Sequence, residues 1–143
     1  MSKKSRDKGA GYERELAKLF EQELGLSERP QRILEQSREQ HCGDLLINSI
    51  FLVEAKRYAG AAGGWYQPAW WKQCCNAAAK QNKIGVLVYR YDRMPNRFVF
   101  PIFAVNSEWA TSDQYTWPTE GNAMLPLVTD QETGLAIMRE WIV

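Results

Sequence analysis

What this chain has little of narrows it first. It has three cysteines in 143 residues, two of them adjacent at Cys74-Cys75, a poor disulfide framework that reads as reduced thiols. No apolar run approaches the ~20 residues of a membrane span, and the opening Met1 to Lys8 lacks the apolar segment of a signal peptide. A cytoplasmic location is therefore expected. An excess of one charge sign is also missing: 18 Lys and Arg against 17 Asp and Glu leave a formal net charge of +1, so no global basic field announces a nucleic-acid partner. No internal repeat occurs at any period. What remains, 45% hydrophobic and 24% charged, suits one ordinary globular domain that buries roughly two thirds of its unfolded surface.

Positive charge is local instead. It gathers at Lys3, Lys4, Arg6 and Lys8, at Arg29, Arg32 and Arg38, and at Arg90, Arg93 and Arg97; each cluster alone suits a solvated surface as well as a phosphate-binding one. Residues 1–8, polar, basic and aperiodic, are expected to form a disordered arm ahead of a single domain over 9–143. From Gly11 to about Gly25, Tyr12, Leu16, Leu19, Phe20 and Leu24 recur at helical spacing, which predicts an amphipathic helix. Glu13 falls on or beside its core-facing stripe, while Arg14, Lys18 and Glu21 face outward. A first-turn glutamate also complements the helix dipole, so Glu13 has either a structural or a chemical reason to be there. Gly25 stops the helix, and Pro30 opens an extended segment, Gln31 to about Gln36, in which Arg32, Ile33 and Leu34 are candidates for a first strand.

The densest chemistry lies between Gly43 and Lys56. Two short runs rich in Ile, Leu, Val and Phe, separated by Asn48-Ser49, predict a β-hairpin. Alternation puts Glu54 and Lys56 on one face of the second strand and sends Phe51, Val53 and Ala55 to the other. Asp44, on the partner strand, shares the face of Glu54 only if the connection spans three residues, Asn48 to Ile50, or carries a bulge; a two-residue turn would oppose Asp44 to Val53. Two carboxylates on one face suit Mg²⁺, with water and substrate phosphate completing its shell. Lys56 would then position the attacking water and counter charge in the transition state. The alternative is a structural ion pair between Glu54 and Lys56 at an exposed edge.

Past a glycine-rich stretch, Arg57 to Gly64, Pro68 suits the first turn of a helix running to about Gln81, with Trp70, Trp71, Cys74, Ala77 and Ala78 as its apolar stripe and Gln73 beside it. Ile84 to Tyr91 and Arg97 to Val105 read as an antiparallel pair of strands. Asn106 to Val128 has no clear period and is assigned mostly to loop. A last helix, capped by Thr129 or Asp130, carries Leu135, Ile137, Met138, Trp141 and Ile142 inward. The aromatics Trp65, Tyr66, Trp70 and Trp71 either pack in a core or dimer interface or stack on unpaired bases. A zinc site from His41-Cys42 and Cys74-Cys75 is disfavoured, because adjacent helical residues diverge by about 100° and the spacing matches no common ligand pattern.

Asp44 followed by Glu54-Ala55-Lys56 resembles the core of the PD-(D/E)XK nuclease superfamily, with Gly43 where that pattern often has proline. The run Lys8-Gly9-Ala10-Gly11-Tyr12-Glu13-Arg14-Glu15-Leu16 is similar to the opening of archaeal-type Holliday junction resolvases. Together these resemblances cover about residues 8 to 91. They imply an α/β, restriction-endonuclease-like fold, a mixed β-sheet flanked by helices, and metal-dependent nicking of four-way DNA junctions by a homodimer. They also imply roles: catalytic Glu13, Asp44, Glu54, Lys56 and Gln73; Mg²⁺, with Mn²⁺ as a substitute, on Asp44, Glu54, Ala55 and Glu13; and DNA contacts from Lys8, Arg14, Arg32 and Arg57. The glycine-rich loop, the Trp-rich helix start and the C-terminal third depart from that pattern. Two further possibilities stay open: a superfamily nuclease acting on linear or branched duplex, and a catalytically silent DNA-binding module.

Overall fold

In a computed structural model, which describes residues 3–33, 44–60, 64–105 and 125–142, five strands form one mixed sheet in the order β1-β2-β3-β4-β5. They are β1 (Leu45–Ile47), β2 (Phe51–Tyr58), β3 (Ile84–Tyr91), β4 (Arg97–Pro101) and β5 (Pro126–Asp130). Helices α1 (Lys3–Glu23), α2 (Pro68–Gln81) and α3 (Gln131–Trp141) cover it. Only β2 and β3 run parallel, with α2 as their crossover; the other three pairs are antiparallel. This is the expected α/β architecture of a mixed sheet flanked by helices.

Alternation along the strands sorts the core into two layers. Leu45, Ile47, Phe51, Val53, Ile84, Val86, Val88, Phe98 and Phe100 pack with Tyr12, Leu16, Ala17 and Phe20 of α1 and with Leu135 and Met138 of α3. The other face, with Leu87, Tyr89, Tyr91 and Val99, packs against Trp70, Trp71, Cys74 and Cys75 of α2. Helix α3 comes so close to β4 that a Cβ at Gly134 would meet the Phe98 ring at 2.5 Å, which explains a glycine in a helix interior where alanine is intrinsically better. Asp130 caps α3 by accepting from the Thr133 N–H at 2.8 Å. The buried Tyr12 hydroxyl donates to Asn96 Oδ1 at 2.7 Å, and Asn96 Nδ2 donates to Gln131 Oε1 at 2.8 Å, tying α1 to the β3–β4 turn and to α3.

The hairpin has the register that the chemistry requires. Leu45 lies opposite Val53 and Ile47 opposite Phe51, so the connection is Asn48, Ser49 and Ile50. Asn48 and Ser49 take φ of 54° and 58°, and the Ile50 N–H closes the turn on the Ile47 carbonyl at 3.0 Å. Ile50 is the extra residue, and it brings Asp44 to the face of Glu54.

Some expectations are corrected. Helix α1 begins at Lys3, not Gly11, so residues 3–8 are helical rather than a disordered arm; lysine and arginine are good helix formers and no proline interrupts them. Its end is as expected, with Gly25 at φ 61° and Leu26 N–H bonding the Glu21 carbonyl, a Schellman closure. The first strand expected at Arg32, Ile33 and Leu34 is, among the described residues, one bridge from Arg32 to Leu45; residues 34–36 lie outside them. Strand β4 stops at Pro101 and passes into a short 3₁₀ turn, Ile102–Ala104. The loop expected through Val128 yields to β5, paired with β4 from Pro126 onward; a proline at the first residue of an edge strand forfeits no needed ladder bond. Trp109, Tyr115 and Trp117 lie outside the described residues, as do His41, Cys42 and residues 61–63 of the glycine-rich loop. Among the described residues no helix is long and apolar enough to cross a membrane.

Candidate active site

Where β2 runs past the end of the β1 ladder, Glu54 is buried, its side chain 5% exposed, and Lys56 Nζ lies 3.5 Å from Glu54 Oε1. The same oxygen accepts from Gln73 Nε2 of α2 at 2.9 Å. The other, Oε2, is buried and finds no hydrogen-bond partner among the described residues. Across the hairpin, Asp44 Oδ2 accepts the Ala55 N–H at 2.7 Å. Backbone N–H and C=O of one strand residue leave toward the same edge, so the Ala55 carbonyl also faces the side where the β1 ladder has ended. Asp44, Glu54, Lys56 and Gln73 thus come together, with the Ala55 backbone beside them.

Burial sets the electrostatics. Desolvation, then the negative charges of Glu54 and Glu13, raise the Asp44 carboxyl from its ordinary 3.8 to about 8, against the Ala55 N–H bond and Lys56, which pull it down. Glu54 is likewise raised, chiefly by burial, with Lys56 opposing. An unsatisfied buried acceptor costs on the order of 1–3 kcal/mol, and two neighbouring buried carboxylates cost more unless a cation compensates them. Oxygen donors alone, two carboxylates and a carbonyl, suit a hard divalent ion such as Mg²⁺ or Mn²⁺. The residues present therefore fit such an ion.

Glu13 lies close enough to raise both carboxyls, and its own carboxylate closes on Arg32. Among the described residues no group of three or more His, Cys, Asp or Glu side chains is set to hold a metal. Arg32, expected at DNA, is thus Glu13's partner. Arg57 alternates to the opposite face from Lys56 and pairs with Glu15 at 3.7 Å and Asp92 at 3.4 Å. Arg14 is exposed on α1, and Lys8 lies in its first turns. Cys74 and Cys75 are buried in the α2 layer, and burial pushes the Cys74 thiol up, as befits packing rather than ligation.

Two features escaped sequence reasoning. The Arg32–Glu13 pair joins residues whose elements nothing local brings together. Tyr58 had a signal, since it follows Lys56 by two on the same face, and it stacks on Trp70 with ring centroids 4.9 Å apart.

A family model described as "Phage putative PDDEXK endonuclease" matches residues 4–130. No curated protein and no solved structure matches the chain.

Proposed function

We propose that this chain, which belongs to that PD-(D/E)XK endonuclease family, is a divalent-metal-dependent DNA endonuclease that nicks four-way junctions as a homodimer. The observation that carries the metal-dependent chemistry is Glu54 Oε2, a buried carboxylate oxygen without a partner among the described residues, on the same face as Asp44 and the Lys56 ammonium. Asp44, Glu54 and the Ala55 carbonyl would hold the ion, which when bound would polarise a phosphate oxygen and acidify water. Gln73 fixes the Glu54 rotamer by donating to Oε1, leaving Oε2 for the ion. Lys56, 20% exposed, orients the attacking water and offsets the charge that develops on the phosphate. Glu13, released from Arg32, orients a further water, and Lys8, Arg14, Arg32 and Arg57 supply backbone contacts without base readout.

Junctions are favoured by the likeness of Lys8 to Leu16 to the resolvase opening and by symmetry. One domain of this size carries one such site, whereas resolving a four-way junction needs two nicks on opposing strands, which a two-fold dimer supplies. The test is cleavage of an end-labelled four-way junction and of linear duplex of the same sequence, with and without Mg²⁺, alongside light scattering. Paired, symmetric, Mg²⁺-dependent nicks by a dimer are expected, with affinity falling steeply as salt rises. A monomer that cuts both substrates equally makes it a duplex nuclease. Binding without cleavage in any metal makes it a DNA-binding module.

A further inference from the structure

We infer that Tyr58 and Trp65 form a stacking platform for an unpaired nucleobase beside the cutting site, so that the preferred substrate is DNA whose strand is opened where it is nicked. The inference rests on the proposed nuclease site and adds what that site accepts. Glu54, Lys56 and Tyr58 alternate out to one face of β2. Above them, Gln73 and Trp70, one turn apart on α2, meet Glu54 and Tyr58 respectively. Acid, lysine and ring thus lie in one row toward the C-terminal end of the strand.

The aromatic layer divides into a floor and two open plates. Tyr66, Trp70, Tyr89 and Tyr91 are buried. Tyr58 is 43% exposed and lies nearly parallel to Trp70, at 15°. Trp65 is 60% exposed and stacks on Tyr66 at 5.3 Å, and Tyr66 in turn packs on Tyr89, the β3 residue opposite Lys56. The Tyr91 hydroxyl donates to the Trp65 carbonyl at 2.6 Å, which fixes the backbone and presents the indole outward. Each ring is therefore backed by a buried ring and, among the described residues, keeps a large part of its surface exposed.

A ligand that reaches Lys56 and these rings together must offer an anionic phosphate next to a planar π-face. Nucleotides have that combination. Two residues of strand place Tyr58 about 7 Å from Lys56, within the reach of one nucleotide. A base stacked on Tyr58 has a protein ring on the face where its neighbouring base would lie, so it has left that neighbour's stack, as bases do at branch points and frayed ends. Stacking of this kind is tolerant of sequence.

The test uses the full chain carrying Asp44→Asn, so that nothing is cut, and measures anisotropy with a labelled four-way junction, a duplex with a splayed single-stranded end, and a blunt duplex. Tyr58→Ala and Trp65→Ala should each weaken binding of the two opened substrates about tenfold more than that of the blunt duplex. Tyr58→Phe and Trp65→Phe, which keep a ring, should restore most of that difference. Equal losses on all three substrates, no loss, or failure of phenylalanine to restore binding overturns the inference. So does light scattering in which the alanine variants fall from dimer to monomer, which would make this surface the subunit interface. Failure of the nuclease proposal is separate: the unaltered chain would then cut no DNA in Mg²⁺, whatever Tyr58 does.

Discussion

The two faces of the one sheet are built on opposite terms. Toward α1 and α3 the layer is apolar: Leu16, Phe20, Val53, Val86, Phe98 and Met138 are all fully buried, and the Phe20 and Phe98 rings meet edge-on at 6.0 Å. Toward α2 the same strands bury Glu54 with an unpaired oxygen and bring Asp44 beside it. A face that only stabilises can be dry. A face that does chemistry must keep groups whose charge is costly until a ligand arrives, so stability and activity should separate by face.

Four experiments would break or sharpen that contrast. The largest effect on activity belongs to Lys56→Ala, which should lower kcat by about 10²–10³-fold, the scale for losing one group that stabilises transition-state charge, with DNA affinity nearly unchanged. Single-turnover kinetics and anisotropy measure both halves, and a variant that keeps most of its rate would remove lysine from the mechanism. Next comes the dry face: Phe98→Ala should cost roughly 3–5 kcal/mol in denaturant unfolding while the folded fraction keeps its kcat. A fall in kcat per folded molecule would mean that the two faces are coupled.

On the α2 face the sign should reverse. Glu54→Gln removes a buried negative charge while keeping the side chain's shape, so the metal-free protein should gain stability as it loses cleavage. Calorimetry in chelator checks this, and a lower Tm would show that the Lys56 and Gln73 contacts outweigh the cost of the buried charge.

The fourth contrast is a pH dependence. Because the folded Asp44 carboxyl is raised from 3.8 to about 8, the unfolded chain releases this proton first. The group therefore destabilises the fold progressively from about pH 4 to about pH 8 and no further above that. The Tm advantage of Asp44→Asn over the parent, measured in chelator, should widen across that window and then level off. Saturating Mg²⁺ should flatten it, since a bound cation favours the ionised carboxylate. An advantage that is constant with pH would place Asp44 in water rather than in a desolvated pair.

Much of this was legible in the residues. Alternation of apolar side chains placed Glu54 and Lys56 on one face before any fold was known, and the need to align Asp44 with Glu54 required the three-residue connection at Asn48 that the hairpin has. The Pro68 start of α2 and the Asp130 cap followed from what those side chains do to backbone N–H groups. Periodicity and capping are local, so a sequence states them directly.

Which element covers which face is not local, and there only the tertiary structure decided. Strand β5 had no period of its own to announce it, because an edge strand paired with β4 buries little and tolerates proline. Arg32 closes on Glu13 across 19 positions, Gln73 on Glu54 across 19 more, and Trp70 supports Tyr58 from another element. The sequence by itself determined that an acid-lysine strand would exist and which way its side chains would point. The packing of α1 and α2 on opposite sides of it determined what those side chains touch, because burial, pairing and pKa depend on neighbours that only long-range folding brings within a few ångströms.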